Sequence, residues 1–324
     1  MKVLVSARIP AEVISLIGRE HQVESYQEDP PLDRQSLLRQ VADKEGLLCT
    51  ITDRIDAELL DGAPALKVIA NYGVGFEHID LAAATRRGIP VTNTPGVLTD
   101  ATADLAFALI LATARRIVAG DRRVREGKFT YWAPLLFLGR EVSGKTLGLI
   151  GLGRIGQAVA QRARGFGMRV LYHSRTRLDP AAEQDLHVAY APRETLLREA
   201  DFVSLHVPLT PETRHLIGRR ELELMKPTAF LINTARGPVV DEAALVEALR
   251  RGQLGGAGLD VYEREPELSP GLADLDNVVL LPHLGSATIE TRTRMGLMAA
   301  ENLLAGLRGE RPPNCLNWTE IQRK

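Results

Sequence analysis

Short apolar runs rich in β-branched residues alternate with amphipathic segments along nearly all of this 324-residue chain, and that rhythm leaves few folds open. Strands that alternate with helices pair in parallel, because a parallel pair needs a long crossover and a helix supplies it. In the first hundred residues the spacing predicts strands at Lys2–Ser6, Gln22–Tyr26, Gly46–Ile51, Leu66–Asn71 and Pro90–Thr92. Helices fall between them, for example Asp33–Asp43 and Leu81–Arg87, the latter closed by Gly88. A long helix starts near Thr99, with Thr99 or Asp100 as its cap and Leu105, Leu109 and Ala112 on one face. A second series begins at Lys145, with strands at Thr146–Ile150, Arg169–His173, His187–Ala189, Phe202–His206, Ala229–Asn233, Gly256–Asp260 and Val278–Leu281. A last helix runs from Thr288 to about Leu307. Between the two series, Arg125–Arg140 reads as irregular. Its Trp132, Leu135, Leu136, Phe137 and Leu138 suit a loop packed on its own domain and an interface equally well.

At roughly 150 residues per domain, this length predicts about two domains. Hydrophobic residues make up 45% of the chain, enough for sizeable cores, and 40 basic against 41 acidic residues leave a net charge of -1. That balance argues against nucleic acid as a partner, since non-specific binding to phosphate needs many uncompensated cations. A membrane is excluded similarly. The longest apolar stretch, Ala101 to Ala114, holds Asp104 and falls short of the ~20 residues a bilayer span requires. MKVLVSARIP is too short-cored for a signal peptide. Cys49 and Cys315 are far apart in sequence, and no His or Cys pair has metal-ligand spacing, so neither a disulfide framework nor a metal site is expected. The default is a cytoplasmic protein.

One segment carries specific chemistry. In Leu147–Ala160 an apolar strand runs into Gly151-Leu-Gly153-Arg154-Ile155-Gly156 and a helix pattern leaves it. Gly151 permits a tight turn, Gly153 lets a pyrophosphate approach the backbone, and Gly156 lets helix and strand pack closely. The helix N-terminus offers unpaired N–H groups to the phosphates. This predicts a dinucleotide site.

The next strand bears on which dinucleotide. An NAD site places an acid at its end for the ribose hydroxyls, but here Arg169–His173 runs into Ser174-Arg175-Thr176-Arg177, with no acid before Asp179. Two guanidiniums and two hydroxyls suit a 2′-phosphate. NADP(H) is therefore the expected cofactor, with NAD(H) possible.

Four further motifs follow predicted strands: Asn71-Tyr-Gly-Val74-Gly75, Asn233-Thr234-Ala235-Arg236-Gly237, Asp260-Val-Tyr-Glu-Arg-Glu265-Pro266 and Pro282-His283-Leu-Gly285-Ser286. Strand ends are where open α/β sheets bind ligands. An Arg to hold and polarise an anionic substrate and a His with a carboxylate partner suit carbonyl reduction by hydride transfer.

With these motifs in this order the chain resembles the D-isomer-specific 2-hydroxyacid dehydrogenases, and within them the glyoxylate/hydroxypyruvate reductases. The resemblance runs from NYGVG through GLGRIG, SRTR, NTARG, GLDVYEREP and PHLGSAT to the closing RPPNCLN. It implies two Rossmann-like/flavodoxin-like α/β domains with parallel sheets and an active site in the interdomain cleft, which should close during turnover. The substrate-binding domain would be 1–99 with 285–324, and the dinucleotide-binding domain 100–284. The resemblance assigns Arg236 to the substrate carboxylate and carbonyl oxygen, His283 to proton donation, and Glu265 to its partner, where it should favour the imidazolium. Main-chain N–H groups of Val74 and Gly75 would bind the carboxylate. Asp260 would meet the nicotinamide carboxamide, and Val207, Pro208, Thr234, Ala235 and Gly285 would line the cofactor. His206 is expected to contribute through its neighbours' backbone rather than its ring. The implied reaction is reduction of a small 2-oxo acid, glyoxylate or hydroxypyruvate, to the D-2-hydroxy acid, in a homodimer built on the segment after the long helix. Phosphite dehydrogenases share the Arg/Glu/His set and form the alternative. A dinucleotide-sensing, corepressor-like binding protein is the alternative from another class, and the intact Arg236, Glu265 and His283 speak against it.

Overall fold

The computed structural model describes residues 1–323. The chain divides into two compact units: Met1–Leu98 together with the segment from Thr288 onward, and Thr99–Ala287. The second border lies slightly later than residue 284, where the helix Ile289–Leu307 begins behind its Thr288 cap.

In the first unit the strands β1 (Lys2–Val5), β2 (Gln22–Ser25), β3 (Gly46–Cys49), β4 (Val68–Asn71) and β5 (Val91–Thr92) form one parallel sheet in the order β2-β1-β3-β4-β5. Strands β3 and β4 are wholly buried, which explains their unbroken apolar runs. Aspartates start the connecting helices: Asp33, Asp56 and Asp80 each accept an N–H from the first turn that follows. Gly88, at φ +71°, ends the helix Leu81–Arg86 in the left-handed conformation expected of it. The helix Ile289–Leu307 covers one face of this sheet, and Gly306 packs so closely that a Cβ there would stand 2.5 Å from Val68. The segment after it is stitched to the edge strand: Val91 N donates to Asn317 Oδ1 at 2.9 Å and Leu316 N to Val91 O at 2.8 Å.

The second unit adds β6 (Thr146–Ile150), β7 (Arg169–His173), β8 (Val188–Tyr190), β9 (Phe202–Leu205), β10 (Phe230–Asn233), β11 (Gly256–Leu259) and β12 (Val278–Leu280). All are parallel, in the order β12-β11-β10-β9-β6-β7-β8. The order reverses between β6 and β9, the switch point at which doubly wound sheets take ligands. One core cluster lies on each face of this sheet, and the long helix Thr99–Ala114 belongs to one of them through Ala103, Ala106, Leu109 and Ile110.

Two local readings are corrected. Thr99 is the first residue of the long helix and Asp100 lies in its first turn, paired with Arg162, so neither caps it from outside. His187, at φ +55°, terminates the preceding helix, so β8 starts one residue later than its apolar letters suggest. Between the long helix and the irregular stretch, Ile117–Arg125 is helical after a left-handed break at Arg116, and residues 126–140 hold neither helix nor strand, as their letters suggest. In the loop beyond, Phe137 packs under the Arg116 guanidinium, 4.2 Å from ring centre to charge, while Trp132 and Leu135 stay 76% and 82% exposed.

Candidate active site

Turns after β6, β9, β10, β11 and β12, consecutive across the sheet, carry most of the residues singled out in the sequence. At the first, Gly151 has φ +95°, and a Cβ there would lie 2.5 Å from the His206 carbonyl oxygen. A Cβ on Gly156 would lie 2.4 Å from the Gly151 carbonyl oxygen, so the third glycine makes room for the first. Gly153 caps the helix Arg154–Arg164 without a side-chain hydrogen bond and faces open space, leaving the first N–H groups of that helix to an outside acceptor. Arg154 and Ile155 stand at its start, Arg154 exposed. Beside them, after β9, come Val207 and Pro208. The buried Thr234 hydroxyl finds no hydrogen-bond partner among the described residues. An uncapped helix, an open glycine and an orphaned buried hydroxyl fit a phosphate-bearing cofactor.

The His206 ring lies between these turns, with Nε2 2.9 Å from Ser204 Oγ. Burial pushes its pKa down to about 4, so the ring is neutral at physiological pH.

The turn after β7 separates two arginines that look equivalent in sequence. Arg177 donates from Nε to Glu183 Oε1 at 2.8 Å and from Nη2 to Oε2 at 3.0 Å, and lies over the Tyr190 ring. Arg177, with the Tyr172 hydroxyl, holds the Glu183 carboxyl down at about 2. Ser174, Arg175 and Thr176 make no such side-chain contacts among the described residues, and Arg175 and Thr176 are exposed. Glu183 sits six positions downstream in the next helix, where nothing in the local motif announces it.

After β10, Asn233 shapes the turn: its Nδ2 donates to Arg236 O at 2.9 Å and its Oδ1 accepts from Ala235 N at 3.0 Å. Gly237 follows, where a Cβ would stand 1.7 Å from the Tyr262 carbonyl oxygen, so this turn is pressed against the one after β11.

The turns after β11 and β12 form a unit. Asp260, 1% exposed, accepts from Leu284 N at 2.6 Å and Gly285 N at 2.8 Å, and His283 N donates back to Asp260 O at 3.0 Å. Those bonds hold His283 at φ +56°, a left-handed conformation that a non-glycine residue adopts only when its surroundings enforce it. Burial raises the Asp260 pKa against the pull of these N–H groups. Presented this way, His283 Nδ1 lies 2.8 Å from Glu265 Oε2, and Glu265 Oε1 accepts from Tyr262 N at 2.9 Å. For Glu265, burial raises the pKa, but the His283 hydrogen bond and charge, the Tyr262 N–H and the nearby Arg236 charge together outweigh it, so its pKa is lowered. Imidazole, carboxylate and guanidinium therefore share one electrostatic neighbourhood.

Val74 and Gly75 belong to the first unit. Asn71 Nδ2 donates to Gly73 O at 3.1 Å and Gly75 O at 2.7 Å, and Asn93 Nδ2 to Val74 O at 2.9 Å. With the carbonyls held inward, the N–H groups of Val74 and Gly75 meet no protein acceptor among the described residues. No group of three His, Cys, Asp or Glu residues could hold a metal among the described residues, and no described helix is long and apolar enough to cross a membrane.

Fold and site define a dinucleotide-binding α/β protein with a histidine–carboxylate pair at the edge of its larger sheet. A family model for the NAD-binding domain of D-isomer-specific 2-hydroxyacid dehydrogenases matches residues 107–285. A glyoxylate reductase of Thermococcus litoralis is 54% identical over 98% of this chain and 96% of its own. A solved structure from Thermus thermophilus superposes with a TM-score of 0.91 at 53% identity, covering 98% of this chain and 100% of that one. An NADPH-dependent glyoxylate/hydroxypyruvate reductase of Sinorhizobium meliloti, solved with NADP and malonate, has a TM-score of 0.86 at 33% identity, covering 98% and 97%. The chain belongs to the D-isomer-specific 2-hydroxyacid dehydrogenases, and is an oxidoreductase with a nicotinamide-dinucleotide-binding domain.

Proposed function

We propose that this protein reduces a small 2-oxo acid, glyoxylate or hydroxypyruvate, to the D-2-hydroxy acid with NADPH as the preferred cofactor. The observation that carries the reading is the His283–Glu265 pair, 2.8 Å apart, within reach of the Arg236 charge and on the same sheet edge as the glycine turn. The relatives' glyoxylate activity supports the choice of substrate.

When bound, NADPH would supply a hydride for the carbonyl carbon of the substrate. Arg236 binds the substrate carboxylate and polarises the carbonyl, so that negative charge growing on the oxygen faces a fixed cation. His283 gives its Nε2 proton to that oxygen, and in the reverse direction takes it back. Glu265 accepts from Nδ1, which fixes the ring and leaves Nε2 as the acid. The N–H groups of Val74 and Gly75 are further donors to the substrate.

For the cofactor, the N–H groups at Gly153, Arg154 and Ile155 receive the pyrophosphate, with Gly151 and Gly156 shaping the turn. Arg175, Ser174 and Thr176 bind the 2′-phosphate. Arg177 is tied to Glu183 and helps through the shape of the turn rather than as a second free cation. Val207, Pro208, Thr234, Ala235 and Gly285 line the nicotinamide side, where Asp260 retains acceptor capacity for the carboxamide. The exposed Trp132 and Leu135 support a homodimer built on the segment after the long helix. The substrate is a small anion, with neither nucleic acid nor membrane as partner, and the cytoplasm is the compartment.

The test is a panel of glyoxylate, hydroxypyruvate, other 2-oxo acids and, in the oxidising direction, phosphite, each assayed with both nicotinamides. Highest kcat/KM for glyoxylate or hydroxypyruvate with NADPH is expected. A larger value with NADH removes the cofactor reading, and turnover of phosphite alone removes the substrate reading.

A further inference from the structure

We propose that Glu242, a buried residue that touches neither substrate nor cofactor, is a positioning residue for the acid–base pair. This rests on the reading of Glu265 and His283 given above. Glu242 is the first residue of the helix Glu242–Arg250, behind its Asp241 cap, and is 3% exposed. Its carboxylate grips the loop between β11 and β12 on both sides of Glu265. Oε2 accepts from Glu263 N at 2.9 Å and Oε1 from Ser269 N at 2.7 Å. Glu263 answers by accepting from Glu242 N at 3.3 Å, and its other oxygen takes His215 Nε2 at 2.7 Å.

The loop between these anchors is short and doubles back on itself, with Glu267 N donating to Arg264 O at 2.8 Å. Glu265 rides at its tip. Fixing Glu263 and Ser269 therefore fixes where the Glu265 carboxylate can reach, and the 2.8 Å bond to His283 follows from that placement. A carboxylate suits this task because both its oxygens accept. A glutamine of equal length can satisfy one of the two N–H groups and must turn an NH2 toward the other. A displacement of about 1 Å in a catalytic group lowers turnover by as much as ~10²-fold.

The experiment compares the parent with E242Q, E265Q and the double variant, using glyoxylate and NADPH, with NADPH affinity measured separately by fluorescence. For E242Q, kcat should fall about tenfold to a hundredfold. Because the substrate and cofactor contacts remain, KM and NADPH Kd should move by no more than about threefold. In the E265Q background the same change should cost about twofold or less, because nothing is left to position. An equal loss in both backgrounds overturns the proposal, since Glu242 would then act independently of Glu265. Parent-like kcat in E242Q, with E265Q impaired, overturns this proposal alone. Parent-like kcat in E265Q overturns the acid–base reading and this proposal with it. Should E242Q not fold, E242D keeps the charge but falls a methylene short of spanning the loop. It should show the same kcat loss, and parent-like turnover there is equally fatal.

Discussion

Around Gly151 the backbone turns because side chains are missing; around His283 it turns because side chains reach across and hold it. The first region needs φ +95° and space within 2.5 Å of a neighbouring carbonyl, conditions met by omitting a Cβ. The second places a histidine at φ +56° and keeps it there with the Asp260 carboxylate, while Glu242 does the same for the loop of Glu265. A pyrophosphate is a broad anion that a ring of N–H groups can satisfy. A proton transfer needs one atom in one place, and only a strained, over-determined turn secures that.

The largest expected effect tests the second region. His283→Ala should lower kcat by about 10²- to 10⁴-fold, the usual contribution of a general acid. NADPH binding, measured by fluorescence titration, should persist; loss of both together would mean that the two regions are one structural unit. Gly156→Ala breaks the first region instead. Its Cβ would meet the Gly151 carbonyl oxygen at 2.4 Å. The expected cost is about 1–3 kcal/mol of stability by denaturant titration, with weaker NADPH binding. A variant as stable as the parent would show that the turn can give way.

The turn after β7 sharpens the comparison, because it combines an open cation with a held one. Arg175→Ala should lower the NADPH-over-NADH ratio of kcat/KM about tenfold, as expected for one charge-assisted contact. Arg177→Ala should change that ratio less and let the Glu183 pKa rise from about 2 toward its ordinary value of 4.5. Equal effects on the ratio would return Arg177 to the phosphate.

The smallest effect is on stability against pH. His206 has a lower pKa folded than unfolded, so the unfolded chain binds more protons and stability drops as pH falls from 6.5 toward 4. Glu265 is also lowered, so its contribution is present above the ordinary value of 4.5 and is lost as pH falls through the folded one. Thermal melts from pH 7 to 3 should show both windows. His206→Phe should flatten the upper one and Glu265→Gln the lower, leaving the other in place; a single change that flattens both would mean coupled groups.

Much of the framework could be read from the letters. Gly46–Cys49 and Val68–Asn71 are strands because buried parallel strands carry unbroken apolar runs, and the glycine spacing at 151, 153 and 156 matches the steric needs of its turn. The motifs also placed Arg236, Glu265 and His283 after strands, although their roles came from resemblance rather than spacing. What could not be read were the supports. Glu183 is one more acid on a helix until Arg177 folds onto it. Glu242 looks like an ordinary first-turn acid beside its Asp241 cap, yet its partners lie at Glu263 and Ser269. Asn71 and Asn93 turn the Val74 region inward from different strand ends.

The sequence by itself determined the parallel α/β layering, the dinucleotide turn and the set of reactive residue types, because periodicity and missing side chains act between near neighbours in the chain. Only the tertiary structure decided which of two similar arginines stays open, which buried acid holds the loop of Glu265, and how a histidine is kept in a left-handed turn. The first depends on a helix that brings Glu183 back to Arg177, and the other two on hydrogen bonds between segments that meet only after the sheet has formed; a hydrogen bond acts over about 3 Å whatever the distance along the chain.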